Sequence, residues 1–555
     1  MTKAARQEDV ARFCRDPAVV MRLARLGSAH PTRLSFLRVL LRRLKTENWT
    51  FDRPVWEMDA KGVGRAVYRA IGPERTYSLV AFAHDLPDEM RSDRVIATAW
   101  DATFALFDGT PTSADLDRLQ ANVPLQEAGR VSPSELSLSR ANRSVRLFDH
   151  VVTRLAAGQQ PDQAELDKVG YLMRTTAVYG SGKFGAADRA TVAWRPELSG
   201  PFQAEMLSVW LTRAFTVDLV EHLAAARGGA AAVRLDPALR RGLGVGNSTG
   251  LGMAPFLVRH PLLLNNWVLA RETALARVRA LPTASAEAIA GLKAAVDAAR
   301  DNAGLWYSEH PLQVPKLKAL RNDLDKIADR LHTWPNGDLP WDRLWLWGES
   351  ALSLEGQEAL LSAMLEPHGA LIDDLAKGMS ADEASGFSLN GAMTINEVRQ
   401  HLGERYGWAM KYDFSAAENI DKFWYVSEEK LEPRLGQRFT EEGAGLEQPL
   451  DTARMAVAMA KALEGWQGDA PLAAFLRAHP EHRLIARRLQ QAVCHPYMEI
   501  QDNLIGHDML PIDILRCKLA FFGASRFDPR SDRWVRISLF QGLPFPEELA
   551  KEGAA

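Results

Sequence analysis

The 555-residue chain carries only three cysteines, Cys14, Cys494 and Cys517. So few exclude a disulfide framework, and no two have the C-x-x-C spacing of a redox or zinc motif. A reducing compartment, the cytoplasm, is the expected location. Long apolar runs are missing as well. Nothing approaches the roughly 18 residues of a membrane span, and Met1 to Asp9 lack the apolar stretch of a signal peptide. There is no excess charge of one sign, since 67 Lys plus Arg face 70 Asp plus Glu for a net charge of −3. A general nucleic-acid or polybasic membrane binder is thereby excluded. Glycine (39) and proline (29) stay at ordinary levels, which rules out collagen-like and low-complexity chains. No fixed-period repeat marks a solenoid or propeller. Two short catalytic motifs are absent, the Gly-x-Ser-x-Gly elbow and His-Glu-x-x-His.

What remains is a folded, soluble chain, 46% hydrophobic and 25% charged, long enough for about four domains at roughly 150 residues each. Apolar residues recur at three- and four-residue intervals over about 8–47, with Arg33, Arg38, Arg42, Arg43 and Lys45 on the opposite face. This predicts a helix with a solvated basic face, the alternative being a partner surface. Two β-rich runs, Ala66 to Ile71 and Thr76 to Phe82, flank Gly72-Pro73-Glu74-Arg75 and predict a hairpin. Beyond Asp108-Gly109-Thr110-Pro111 the helical period dominates, including about 133–157 and 162–179, until Trp534 to Leu539 reads as a closing strand. The expected fold is mainly α, a multi-helical body with a small N-terminal α+β unit containing a β-hairpin at about 65–82. The expected segments are 1–115, a central helical domain at 116–385, and a mainly helical 386–555 that either shares the central core or stands alone.

Four segments have the residue types of a site. In Tyr179-Gly180-Ser181-Gly182-Lys183-Phe184-Gly185, three glycines free the backbone to aim N–H groups at an anion, with Lys183 at the tip. A P-loop is rejected, because Ala177 and Phe184 stand where that motif needs Gly and Ser or Thr, and because the preceding residues read as helix. Gly242 to Gly252 holds five more glycines with the donors Asn247, Ser248 and Thr249, running into a helix from about Ala254. It reads as an anion loop at a helix N-terminus or as a packing loop. No strand precedes it, so a dinucleotide fingerprint is not met.

The third segment, Ser132 to His150, reads as a helix with a Ser132/Glu135 capping box. Its Arg140 and Arg143 offer planar forks for a carboxylate or phosphate, or for a structural ion pair. The fourth is Cys494 to Asp508. There His495 and Glu499, four apart, would share a helix face and supply proton transfer, with a plain structural cluster as the alternative. His495, Glu499 and His507 fit no zincin spacing, and no metal is expected.

These readings combine into a cytoplasmic enzyme acting on a small carboxylate- or phosphate-bearing substrate by acid–base chemistry, of lyase, isomerase or hydratase type. His495, Glu499 and Tyr179 are the candidate catalytic groups. Arg140, Arg143, Lys183, Asn247, Ser248 and Thr249 are the candidate substrate contacts. No cofactor is identified by motif. Partners beyond the small anion are neither nucleic acid nor membrane, and a homodimer is the base-rate expectation. Two other readings stay open. One is an oxidoreductase whose loops hold a flavin or nicotinamide nucleotide. The other is a non-enzymatic helical protein that binds partners through its arginine-rich first helix and its tryptophan segment, Trp334 to Trp347.

Overall fold

The computed structural model describes residues 11–87, 89, 99–125, 129–175, 192, 194–250, 261–311, 313–335, 337–379, 387–414, 416, 424–426, 433–435, 446–447, 450–501, 511–529 and 534–552. Its strands in chain order are β1 (Thr50–Met58), β2 (Gly64–Ile71), β3 (Thr76–Ala83), β4 (Ala102–Asp108), β5 (Glu135–Arg143), β6 (Tyr171–Thr175), β7 (Gly244–Gly250), β8 (Trp424–Val426), β9 (Pro433–Leu435), β10 (Leu446–Glu447), β11 (Arg526–Pro529) and β12 (Trp534–Leu539). Strands β8 to β10 form a small sheet of three. The other nine form one sheet in the order β1-β2-β3-β4-β5-β6-β7-β12-β11. Among the described pairs in that sheet only β6 and β7 run parallel, so both strands leave the sheet on the same side.

This overturns the expectation of a mainly α fold with a small hairpin unit. The hairpin forms, as β2 and β3, but as two strands of nine, and the sheet draws on residues from 50 to 539. The helix expected over 133–157 is β5 followed by a nine-residue helix. In β5, Ser137, Ser139 and Ala141 alternate with Leu138, Arg140 and Asn142, while a register shift beside Phe107 turns Leu136 into the first core and Leu138 into the second. The proposed capping-box residue Glu135 instead begins a strand, with its carboxylate accepting from the backbone N–H of Val131. The helix expected over 162–179 stops at Val169, where Gly170 adopts a left-handed φ of 78°, and β6 follows. Gly244 to Gly250, expected as a loop, is a strand. The helix expected over 8–47 is broken into Pro17–Val20, Leu23–Leu26 and the arginine-rich Phe36–Thr46.

The helices used below are α1 (Phe36–Thr46), α2 (Ser113–Asn122), α3 (Phe148–Ala156), α4 (Gln163–Val169), α5 (Gln203–Gly228), α6 (Pro261–Arg279), α7 (Ala286–Leu305), α8 (Gln313–His332), α9 (Pro340–Ala351), α10 (Leu354–Leu365), α11 (Ile395–Tyr406), α12 (Leu450–Leu463), α13 (Leu472–Ala478), α14 (Arg483–Cys494) and α15 (Pro511–Phe522). The sheet has two faces because successive side chains alternate. On the first, Leu79, Ala81, Phe104, Leu106 and Ala141 pack into a core that collects residues from Val20 to Leu549. Helix α5 lies across this face, with Trp210 edge-on to Phe51 and Phe215 edge-on to Phe104. On the second face, Val80, Phe82, Ala105, Phe107 and Leu138 meet Leu116 and Leu119 of α2 in a smaller core. A third apolar cluster, contributed by α11 to α14, joins Ile395, Met459, Phe475 and Leu489. Among the described residues no helix is long and apolar enough to cross a membrane.

Candidate functional site

Past the apolar patch under α2, the second face turns polar. Strand β3 places Val80 and Phe82 on that face and ends one step before His84, which is half-buried. His84 Nε2 lies 3.2 Å from Thr103 Oγ1 on β4. Thr103 stands directly opposite Arg140 on β5, and Asn142, two residues on, stands opposite Arg174 on β6. The guanidinium of Arg140 stacks on Trp100, 4.0 Å from the ring centroid, in the 4 to 6 Å range of a cation–π contact. Burial pulls the pKa of Arg140 down. Burial also lowers that of His84, and Asp101 opposes that shift only in part, so the imidazole is neutral near pH 7.

Two buried side chains fix this geometry. Asn142 accepts from the backbone N–H of Asp101 at 2.9 Å and donates to Ala99 O at 3.2 Å, clamping the segment that carries Trp100. Asp101 accepts from the backbone N–H of Arg143 at 2.9 Å, and its other oxygen lies 3.6 Å from Arg143 Nε. Arg143 shares the first face with Ala141 and stacks over Phe148 at 4.7 Å, the start of α3. The helical spacing that paired Arg140 with Arg143 therefore fails. In a strand, residues three apart point to opposite faces, so Arg140 meets the polar row and Arg143 closes a buried ion pair.

The arginines continue beyond β6. Arg536 of β12 alternates with the core residues Ile537 and Leu539, and Arg526 of β11 stands opposite Ser538, so both belong to the second face. With Arg146 and Lys168, the last turn of α4, they line a narrow cleft around Tyr171 and Ile537. Lys168 pairs with Glu165. Arginine thus recurs along this face, with Asp528 in register opposite Arg536.

Gly244 and Gly246 of β7 are packing glycines. A Cβ on Gly246 would lie 2.6 Å from the ring of Tyr171, and one on Gly244 would lie 2.4 Å from Leu539 O and Ser538 Oγ. Asn247 is buried on the first-face side with Val245, and its Nδ2 donates to Thr175 O at 3.1 Å, tying the end of β6 to β7. Asn247 and Arg140 therefore sit on opposite faces. The start of β7 is held by the buried Arg213 of α5, whose guanidinium donates to Leu243 O at 2.6 Å and Arg241 O at 2.9 Å. Ser248 and Thr249 continue β7 opposite Arg536 and Val535. Tyr179 and Lys183 lie outside the described residues, as does His507. Part of the ground for rejecting a P-loop also falls, since β6 rather than a helix precedes that segment. Ala177 and Phe184 still break the motif.

His495 and Glu499 do not share a helix face. Helix α14 ends at Cys494, His495 caps it with Nδ1 3.0 Å from Gln491 O, and the chain then turns. Glu499 is buried and takes both arms of the Arg488 guanidinium, the second at 3.1 Å. Burial and the nearby Glu499 carboxylate push the Tyr406 phenol above its usual pKa. This is a closed ion pair against the α11–α14 cluster. The structure does not bring it together with the Arg140 row: Tyr497 and Gln501, which flank Glu499, bond to Asn265 and Met21.

A second buried polar cluster ties the N-terminal segment down. Arg15 takes Glu272 by two bonds of 2.7 Å and Glu358 by one of 2.6 Å. Arg25 and Arg271 reach Glu358 at 3.0 and 3.1 Å. Arg516 of α15 grips Glu355 by two bonds of 2.6 Å. The basic residues expected on the first helix are likewise engaged within the chain: Arg33, just before α1, bonds Asp373 at 2.7 and 2.9 Å, and Arg43 of α1 bonds Glu197 O at 2.8 Å. Among the described residues no group of three or more His, Cys, Asp or Glu side chains is arranged to hold a metal. Trp341 and Trp345, from the expected tryptophan surface, are fully buried.

Sequence reasoning missed His84, Trp100, Arg174 and Arg536. For His84, Arg174 and Arg536 the signal was their place in alternation with Phe82, Met173 and Ile537, visible once the segments are recognised as strands; Trp100 lies before β4 and carried no such signal. No protein family, curated protein or solved structure matches this chain.

Proposed function

We propose that the protein is an enzyme that binds a small carboxylate- or phosphate-bearing molecule on the second face of the sheet. It would act on that molecule by acid–base chemistry of the lyase, isomerase or hydratase type. The observation that carries this reading is the diagonal pair Arg140 and Arg174, two guanidinium groups from neighbouring strands on one polar face, the first braced on Trp100. A half-desolvated guanidinium fork gains most from a planar or tetrahedral oxyanion that takes two parallel hydrogen bonds. Strands β6 and β7 leave the sheet together beside this pair; β6 runs towards the glycine-rich segment 180–185, and β7 is itself most of the other, Gly242 to Gly252. Crevices at the carboxyl ends of adjacent parallel strands are frequent ligand positions.

The test is a melting-temperature screen with inorganic phosphate, pyrophosphate, succinate and citrate on the native chain and on Arg140→Gln and Arg174→Gln. At 100 times Kd a ligand adds about 2.7 kcal/mol of stability. The reading expects a concentration-dependent rise with at least one of these anions, lost in both variants. A panel with no effect, or an effect that survives both substitutions, contradicts it. A flavin or nicotinamide absorption band in the purified protein would favour the oxidoreductase reading instead.

A further inference from the structure

The second face carries one described histidine in reach of the arginine row, and its surroundings suit a proton carrier. His84 follows the last residue of β3, and its backbone N–H donates to Asp101 O at 2.8 Å, which holds it against the start of β4. Its ring meets the Thr103 hydroxyl at 3.2 Å, and Thr103 is the direct cross-strand neighbour of Arg140. Opposed residues on adjacent antiparallel strands have Cβ atoms about 4.5–5.5 Å apart, so the three side chains form one short row.

We propose that His84 is the proton-transfer residue of this site, working on an anion held by Arg140. The inference rests on the anion-binding reading given above. With Nε2–H donated to Thr103 Oγ1, Nδ1 carries the lone pair. The substrate's C–H or O–H bond breaks, its proton passes to Nδ1, and the electron pair stays on the substrate, where the Arg140 charge stabilises it. The reverse transfer returns the proton to substrate or product, so no oxidant or further reactant is needed. The charged groups around the imidazole are Arg140 across the sheet, the buried Asp101 carboxylate, the exposed Asp85 beside it in sequence, and Arg143, which pairs with Asp101. The burial that keeps the ring neutral near pH 7 leaves it able to accept a proton.

A bound anion beside His84 must favour the imidazolium. The experiment is an NMR pH titration of the histidine ring protons of the full chain, with and without saturating phosphate, repeated with citrate. The chain has 13 histidines, so the His84 signal is assigned by its loss in His84→Gln, with His84→Asn as a second assignment variant. The expected result is an upward displacement of the His84 midpoint by about 1 pH unit on anion binding. Arg140→Gln should abolish that displacement. Thr103→Val should alter the midpoint of the free protein, and Thr103→Ser should restore it. Saturable, Arg140-dependent binding with an unmoved His84 midpoint overturns this inference alone. Absence of saturable binding by either anion overturns the binding reading and this inference with it.

Discussion

Asp101 and Asn142 clamp each other's strand. Asn142 Oδ1 accepts from the Asp101 N–H at 2.9 Å, and Asp101 Oδ2 accepts from the N–H of Arg143, the residue after Asn142, also at 2.9 Å. Both side chains are buried. The clamp fixes Trp100 on one side and the β5 end on the other, so it links packing directly to the placement of Arg140. Asn142→Ala strands a buried backbone donor and should cost about 1–3 kcal/mol. Asp101→Ala leaves Arg143 charged and buried without its carboxylate, and should cost about 3–5 kcal/mol. Urea unfolding measures both, and an Asn142→Ala protein as stable as the parent would refute the clamp.

Gly246 gives a separate test of the strand reading. Alanine there brings a methyl group to 2.6 Å from the Tyr171 ring. Overpacking of this kind typically costs about 1–3 kcal/mol. Tyr171→Ala made in the same chain relieves the clash, so the double variant should lose less stability than the sum of the two single changes. Additive losses would mean the two residues do not touch.

The Arg15, Arg25, Arg271 and Glu358 cluster predicts an acid limit to stability. Burial alone would raise the Glu358 pKa, but the charges of Arg15 and Arg271 and the Arg15 hydrogen bond outweigh it and hold it down at about 2. A carboxylate depressed in the folded state contributes stability above its unfolded value, about 4.3, and that contribution is lost as pH falls from there towards 2. Glu358→Gln should be less stable at pH 7 by about 3–5 kcal/mol, because three guanidinium groups lose a shared partner, and its stability should fall less steeply in acid. Equal acid slopes for parent and variant would exclude Glu358 as the titrating group.

How much of this was legible in the sequence depends on the period that each segment presents. The β2–β3 hairpin was readable because a Gly-Pro turn separates two β-rich runs, and Gly72 is required there, since the Trp49 ring lies 2.6 Å from its missing Cβ. Strand β5 was misread because its arginines and serines also fit a helical wheel, and its leucines give no apolar two-residue period, since the register shift beside Phe107 sends Leu136 and Leu138 into different cores. Strand β6 has only five residues, too short for either period to dominate, and Gly170 was the available boundary signal. Strand β7 has glycine at Gly244, Gly246 and Gly250, and glycine in a strand lowers its β signal while permitting close approach. For the site, Arg140 was found for the wrong local reason. His84 and Arg174 were invisible until cross-strand register placed them, since register is a long-range property that no local window contains.

The most direct test of the central claim is a crystal structure of the protein grown with millimolar selenate, with the anion located by its anomalous signal. The account predicts a selenate within hydrogen-bond reach of the Arg140 or Arg174 guanidinium on the second face, and its loss from that position in Arg140→Gln/Arg174→Gln crystals. Selenate bound only elsewhere, or retained there in the double variant, would contradict it.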